Sequence, residues 1–291
     1  MEKWGDKPYH SLDYENKKRF GEKVYKISLA GGTTCPNRDG TLGTRGCCFC
    51  SGSGSGDFAA TKGSITEQIE EAIARVSRYK NAGHHFTAYF QSFTATYAPV
   101  ETLRAAWEEA MTHESVVTLA IATRPDCLGD NVLSLLADCC RKMPVTVELG
   151  LQTIHPDTIR YIRRGYPNSV YETAVKNLQN IGVNVVTHVI AGLPGETKEN
   201  FLDTVRYVAD IGSDGIKLQL LHVLKGTDLA LDYENKMFRT LTPDEYLDYI
   251  TEALSILPPD MVIHRVTGDG PKNLLIAPLW SSAKRSVLND L

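Results

Sequence analysis

Residues 183–190 read VNVVTHVI, and residues 116–122 read VVTLAIA. Both are near-continuous β-branched or apolar runs, the pattern of strands buried on both faces when helices cover the outside of a parallel sheet. Four more strand candidates surround them, at 24–29, 85–90, 145–149 and 215–221. The stretches between, at 65–79, 100–111, 131–141, 169–181 and 199–211, carry apolar residues at helical spacing. Stop and start residues agree: Asn180 and Gly182 flank one helix end, Gly212 follows another, and Ser64 or Thr66 can cap the first. This is βαβα order repeated about six times, which either closes into a full or partial barrel or opens into a doubly wound sheet. Past Leu221 the pattern changes to a loop-like stretch through Arg239. A helix starting near Pro243 follows, then a short strand-like segment at 261–266, the turn TGDGP at 267–271 and the apolar LLIAPLW.

The composition suits a folded chain of this kind. With 291 residues, 42% apolar and 23% charged, disorder, collagen and a disulfide miniprotein are excluded. That length admits two domains or one barrel. The net charge of −4 gives no warrant for a polyanionic partner, although residues 1–50 carry nine Lys and Arg against six Asp and Glu. The first twenty residues lack an apolar targeting segment, and no run approaches 18 apolar residues, so neither secretion nor a membrane span is expected. Seven cysteines, an odd number, fit a reducing cytoplasm where clustered thiols serve metal or redox chemistry.

Four of the seven crowd into CPNRDGTLGTRGCCFC, residues 35–50. Eleven residues separate Cys35 from Cys47, and two separate Cys47 from Cys50. A pair two residues apart plus a third thiolate makes a metal site with three protein ligands and an open position. Gly31, Gly32, Gly40, Gly43 and Gly46 allow the backbone to wrap closely round such a centre. An iron–sulfur cluster, a structural zinc site and a redox dithiol all remain open on spacing alone. Zinc wants a fourth ligand, and Cys48 is poorly placed for it beside Cys47. A redox Cys-x-x-Cys wants a helix after it, where SGSGSG stands instead. Cys127, Cys139 and Cys140 read as small buried thiols.

Further motifs follow in order: FQSFTATYAP at 90–99, TRPDCL at 123–128, VELGLQT at 147–153, RRGY at 163–166, VIAGLPGET at 189–197 and HRVTGDGPKNLLIAPLW at 264–280. With the cysteine triad and Phe49 before its last member, the chain resembles radical S-adenosylmethionine (SAM) enzymes of the group around the Elongator catalytic subunit. Within that group it is similar, over nearly its full length, to the small bacterial YhcC/YtqA-type branch. The departure from the majority pattern, eleven residues rather than three before the Cys-x-x-Cys pair, matches this branch.

The resemblance implies an α/β fold, a partial (β/α)6 TIM-like barrel with a C-terminal α/β extension. Residues 1–225 would form the barrel, with a basic N-terminal segment and a cluster loop at 31–56, and residues 226–291 the extension. Cys35, Cys47 and Cys50 would be the catalytic metal ligands of a 4Fe-4S cluster whose fourth iron is chelated by the SAM amino and carboxylate groups. Reductive cleavage of SAM would then yield a 5′-deoxyadenosyl radical, for which an electron donor is required. Cofactor-binding candidates are Phe49 near the adenine, and Gln91, Ser92 and Thr94 where the superfamily usually carries a Gly-rich segment. Arg124 is a candidate for the SAM carboxylate, or else a partner of Asp126 alone. Glu148 and Gln152 on the fourth strand, and the Gly192, Pro194, Gly195 turn, complete the set. Glu148 is included because a carboxylate within a strand is costly to bury without a partner. His188 reads as an interior histidine.

The implied substrate is tRNA, at a wobble uridine whose 5-carboxymethylaminomethyl group becomes 5-aminomethyl. The alternatives are SAM cleavage on a small molecule or protein, and a zinc-stabilised binding protein without catalysis. His264, Arg265, Asp269 and Lys272 surround the TGDGP turn, which reads equally as an anion nest or an ordinary surface turn. Lys17, Lys18, Arg19, Lys23 and Lys26 read as a phosphate-contacting or a solvated face.

Overall fold

In the computed structural model the described residues are 4–54, 56–80, 82–268 and 270–283. Six strand-and-helix steps follow one another: β1 (Tyr25–Leu29), α2 (Ile65–Ser77), β2 (Phe86–Phe90), α3 (Val100–Thr112), β3 (Val116–Thr123) and α4 (Asp130–Cys140) make the first three. Then come β4 (Val145–Gln152), α5 (Pro156–Tyr161), α6 (Asn168–Asn180), β5 (Asn184–Ala191), α7 (Lys198–Ile211) and β6 (Gly215–Leu220). A helix α1 (Leu12–Phe20) precedes them. After them come β7 (Val223–Leu224), α8 (Asp228–Glu234), α9 (Pro243–Ile256), β8 (Val262–Arg265) and β9 (Leu275–Ala277).

The sheet order is β1-β2-β3-β4-β5-β6-β8 with every pair parallel, while β7 and β9 form a separate antiparallel pair. The helices between the strands bury one stripe each on the outside of the sheet, among them Ile65, Ile69 and Ala72 of α2, Leu103 and Trp107 of α3, and Phe201, Val205 and Val208 of α7. Trp107, Tyr171, Tyr246 and Phe201 are fully buried there, and each such side chain contributes about 2–3 kcal/mol by leaving water. Ser64 caps α2 in a reciprocal capping box with Glu67, and Gly212 ends α7 in the left-handed conformation.

The sheet is curled into a partial barrel. Tyr89 on β2 and Lys217 on β6 are four strands apart, roughly 19 Å in a flat sheet at about 4.8 Å per strand. The Lys217 ammonium nevertheless donates to the Tyr89 hydroxyl at 3.2 Å and lies 4.8 Å from the ring centroid. Only a strongly curled sheet allows that. The segment expected to form a C-terminal extension packing on the barrel supplies β8, the seventh strand of the same sheet, in register Gly215 with Val262 and Lys217 with Arg265.

α1 escapes the sequence pattern because it buries no residue. The chain just before it is tied to β8, where the Ile263 amide donates to the His10 carbonyl at 2.7 Å. α1 therefore lies across the strand starts, the barrel floor, where a cavity of about 620 Å³ is lined by Glu15 and Arg19 as well as Lys26, Thr118, Thr146 and His264. Lys17, Lys18 and Arg19 lie exposed, as a solvated face would, and Lys26 alone departs from that reading. Lys26 points into the lumen and pairs with Glu148, while Lys17 and Lys23 pair with Asp13.

Candidate functional site

The segment 35–50 leaves the carboxyl end of β1 as a series of tight turns. The Arg38 amide donates to the Cys35 carbonyl (2.8 Å), Leu42 to Pro36 (2.8 Å), Gly46 to Asn37 (2.7 Å) and Cys50 to Cys47 (3.1 Å). Gly46 has φ +73°, and a β-carbon there would lie 2.9 Å from Arg38 Nε, so the turn needs glycine. Arg38 reaches across to the Cys50 and Ser51 carbonyls at 3.1 and 2.6 Å.

Two distant elements hold this loop. From the RRGY segment, the Arg163 carbonyl accepts from Asn37 Nδ2 at 2.8 Å, and Arg163 Nε donates to the Gly46 carbonyl at 2.8 Å. From the other side, Asp228 of α8 pairs with Arg163 at 2.6 Å and Arg45 at 2.8 Å. Cys48 is the hinge pin: its amide donates to Ile162 (3.3 Å) and its carbonyl accepts from Leu229 (3.0 Å). The Cys48 side chain is buried in an apolar cluster with Ile162, Ile190, Leu193, Leu221 and Leu229, against which Phe49 packs.

Cys47 sits between Asn37, whose amide nitrogen is 3.4 Å from its sulfur, and the charge of Arg124. Burial pushes its thiol up to about 12, Cys50 and Cys35 add to the rise, and Arg124 opposes it. The three cysteines therefore share one electrostatic neighbourhood. Among the described residues no three His, Cys, Asp or Glu side chains converge as the ligands of a single ion do. A 4Fe-4S cluster takes each thiolate on a different iron and sets a wider spacing. Three soft donors, a side-chain amide aimed at one sulfur and a loop closed by backbone amides suit such a cluster, whose binding must displace the thiol protons.

The other predicted residues gather at the same end of the barrel. The segment after β2 clasps the start of the cysteine loop: Thr33 Oγ1 donates to the Ser92 carbonyl at 3.1 Å, and the Thr94 amide to Thr34 at 3.1 Å. Ser92 Oγ is buried with no hydrogen-bond partner among the described residues, so it is a polar group ready for a ligand. A β-carbon at Gly56 would lie 2.4 Å from it. Gln91 beside it is half-buried and Thr94 buried. Arg124 makes a two-point ion pair with Asp126 at 2.9 and 2.7 Å and lies over the Tyr166 ring. Gln152 ends β4 with φ +62°, its side chain over Gly150, where a β-carbon would be 2.5 Å away. Gly192 and Gly195 are both left-handed, and Gly192 faces Leu241 at 3.0 Å from where a β-carbon would stand. Pro194 lies half-buried between them.

Glu148 stands apart, deeper in the lumen. Its carboxylate is fully buried and accepts from Lys26, Lys217, Tyr89 and His188, the last at 2.9 Å. These donors hold it well below the ordinary carboxylate range against the cost of burial. His188 is an interior histidine, its Nδ1 3.1 Å from Gln219 Nε2, with burial and then Lys217 lowering it to about 4.

Sequence reasoning left four residues without a role. Asn37, Arg38 and Arg163 fix the cysteine loop. Arg164, fully buried, donates to the carbonyls of Leu151, Thr153 and Tyr166 and to Asn168, and so fixes the end of β4. The RRGY motif was their trace in the sequence, but its targets are backbone carbonyls, which no motif records. Of the remaining thiols, Cys139 is buried, while Cys127 and Cys140 are half-buried, correcting the uniform expectation. Asp269 lies outside the described residues. The rest of its turn borders a cavity of about 410 Å³ lined by Asp57, Phe58, Gly270, Pro271, Lys272, Asn273, Ser281 and Ser282.

Comparison with known proteins agrees with this geometry. Residues 21–208 match the sequence family described as the Radical SAM superfamily, and residues 213–291 match the Radical_SAM C-terminal domain. The protein YtqA of Bacillus subtilis (strain 168) is 43% identical over 98% of this chain and 89% of its own length. Protein YhcC of Escherichia coli (strain K12) is 38% identical over 90% and 84%. More distantly, a tRNA uridine(34) acetyltransferase of Methanocaldococcus jannaschii is 27% identical over 60% of this chain and 32% of its own. In fold, the chain is similar to the archaeal Elp3 of Methanocaldococcus infernus lacking residues 1–46, with TM-score 0.65 and 19% identity. That match covers 87% of this chain and 58% of the Elp3 chain. Among the described residues no helix is long and apolar enough to cross a membrane.

Proposed function

Because the chain belongs to the radical SAM superfamily, we propose that Cys35, Cys47 and Cys50 hold a 4Fe-4S cluster beside SAM, and that the substrate is a tRNA wobble uridine whose 5-carboxymethylaminomethyl group becomes 5-aminomethyl. When bound, cluster and cofactor supply a carbon radical able to abstract hydrogen from an unactivated C–H bond, given an electron from a separate donor. The protein's own work is to bind, orient and exclude water. Ser92, with Gln91 and Thr94, offers hydroxyl and amide groups to the cofactor's polar end. Phe49 offers an aromatic face to its adenine, and the Gly192, Pro194, Gly195 turn allows the backbone to come close. Gln152 at the end of β4 lies on the same rim. Arg124 faces the cofactor carboxylate from its pair with Asp126. Glu148 serves from below, by fixing the cations of the lumen.

The observation that carries the RNA reading is the cavity beside the cysteine loop. Its wall combines a half-exposed aromatic, Phe58, with Lys272, Asn273 and two serines. An aromatic face for a base and a cation with hydroxyls for a phosphate are the groups that hold an unstacked nucleotide. Likeness to a tRNA uridine(34) enzyme supports the same substrate. Residues 226–291 extend the barrel of residues 1–225, adding β8 to its sheet and α8 against the cysteine loop, with the reaction in the cytoplasm, where tRNA is modified.

Nucleoside profiling of tRNA from a strain lacking this protein tests the proposal. The aminomethyl nucleoside is expected to disappear and its carboxymethylaminomethyl precursor to accumulate. Unchanged wobble uridines would instead direct the same chemistry to a small molecule or protein. Anaerobically reconstituted protein is expected to contain iron and sulfide with absorption near 400 nm; one zinc and no sulfide would overturn the enzymatic reading.

A further inference from the structure

Inside the barrel, one carboxylate faces three cations. Glu148 is the acid that Lys26, Lys217, Tyr89 and His188 all contact. Lys26 takes one of its oxygens, and Lys217 the other. The third cation is Arg265. Its register partner across the β6–β8 pair is Lys217, so the two side chains leave the sheet on the same, lumenal face. A β-bulge accounts for that direction: β8 shifts register so that Ile263 pairs with Ile216 and Arg265 with Lys217, leaving His264 as the extra residue. Arg265 is half-buried and makes no ion pair or side-chain hydrogen bond among the described residues.

We propose, resting on the substrate reading above, that the lumen binds a carboxylate of the substrate, with the Arg265 guanidinium as its direct partner and Lys217 beside it. Positive charge in excess of its counter-charge is unfavourable in a buried site, and a ligand that supplies the missing charge is held by the same imbalance. Lys217 is buried with Lys26 and Arg265 on the same side of the sheet, and among the described residues Glu148 alone stands against the three. Lys217 cannot swing away to relieve the imbalance, because Glu148 and the Tyr89 hydroxyl hold it.

The chemistry of a guanidinium inside the barrel favours a carboxylate over a phosphodiester. A carboxylate is a terminal planar group that meets a guanidinium edge with two parallel bonds, whereas a phosphodiester carries chain on both sides and stays outside a closed lumen. Access is from the cysteine end: Arg265 directly precedes VTGDGP, and Gln219, which contacts His188, lies against Gly268 of that turn. The carboxymethyl group of the proposed nucleoside has this chemistry.

The test uses the reconstituted holoenzyme and two anticodon stem-loop RNAs differing only at the wobble uridine, one bearing the 5-carboxymethylaminomethyl group and one its neutral carboxamide. Wild type is expected to bind the carboxylate RNA about tenfold more tightly, the size of a charge-assisted pair. The variant Arg265→Gln is expected to bind both RNAs alike, at the wild-type carboxamide affinity, and Arg265→Lys to recover part of the preference. Equal binding by wild type, or an undiminished preference in R265Q with normal iron content, overturns the proposal. A second arm needs no RNA: sodium acetate, against sodium chloride at equal ionic strength, is expected to raise the melting temperature of wild type but not of R265Q. If neither RNA binds but acetate stabilises through Arg265, the tRNA reading falls and the carboxylate site stands. If the RNAs bind without preference and acetate has no effect, the site falls and the tRNA reading stands.

Discussion

Cys47 and Cys48 are neighbours whose side chains part company, one toward Asn37 and the other cysteines, the other into the apolar cluster under α8. Replacing Cys48 by Ala is expected to leave iron content intact and to cost about 1 kcal/mol in urea denaturation, as a small buried truncation does. Replacing Cys35, Cys47 or Cys50 by Ala is expected to abolish iron binding and 5′-deoxyadenosine formation. Deeper in the barrel, Glu148→Gln leaves Lys26 and Lys217 without a counter-charge, a loss of about 3–5 kcal/mol if the fold survives. The pH response has a definite sign. His188 is held neutral in the folded chain, so the unfolded chain takes up its proton first, and stability falls as the pH drops from about 6.5 toward about 4. Glu148 is depressed, so its contribution is present above its unfolded value near pH 4.3 and lost as acid approaches the lower folded value. Denaturation midpoints measured across this range are expected to fall on acidification, and His188→Gln to flatten the upper part. The triad was legible because its spacing is local. The Glu148 network was not, since its five members come from five strands and meet only when the sheet curls.

At the scale of elements, α8 matters beyond its seven residues. It supplies Leu229 to the Cys48 carbonyl and Asp228 to Arg45 and Arg163. Asp228→Asn weakens exposed ion pairs and is expected to change overall stability by less than about 1 kcal/mol. Its effect is local: hydrogen exchange of the Cys48 and Leu229 amides should quicken, with slower recovery of iron on reconstitution. The long sequence runs foretold the strands β1 to β6 and the helices α2, α3, α4, α6 and α7 to within a few residues, because each buries a continuous stripe or strand. α5, α8, β7 and β9 span seven residues or fewer, too short for a period to show. α1 is long enough but buries nothing, so it has no apolar stripe to detect.

Taken whole, the molecule separates its two ends. The cysteines, the Ser92 hydroxyl and the segment from Gly270 to Lys272 gather at the strand ends, while α1 and its basic residues lie at the strand starts. The basic residues of α1, Lys17, Lys18 and Arg19, therefore sit on the face away from the proposed chemistry, while Arg38 and Arg45 of the same N-terminal stretch belong to the cysteine loop. Reversing Lys18 and Arg19 to Glu is expected to leave the affinity for a modified anticodon stem-loop within about twofold, whereas Lys272→Glu weakens it and flattens its salt dependence. Composition could not show this division, because net charge carries no direction. The link between Cys48 and Leu229 sets a timetable as well as a shape. These partners lie 181 residues apart in the chain. At about 5–20 residues per second of synthesis, roughly 10–35 seconds pass between the appearance of the cysteine loop and that of the helix which fastens it. Through that interval the thiols stand on an open loop, and iron delivered before the clasp arrives meets a site still able to lose it.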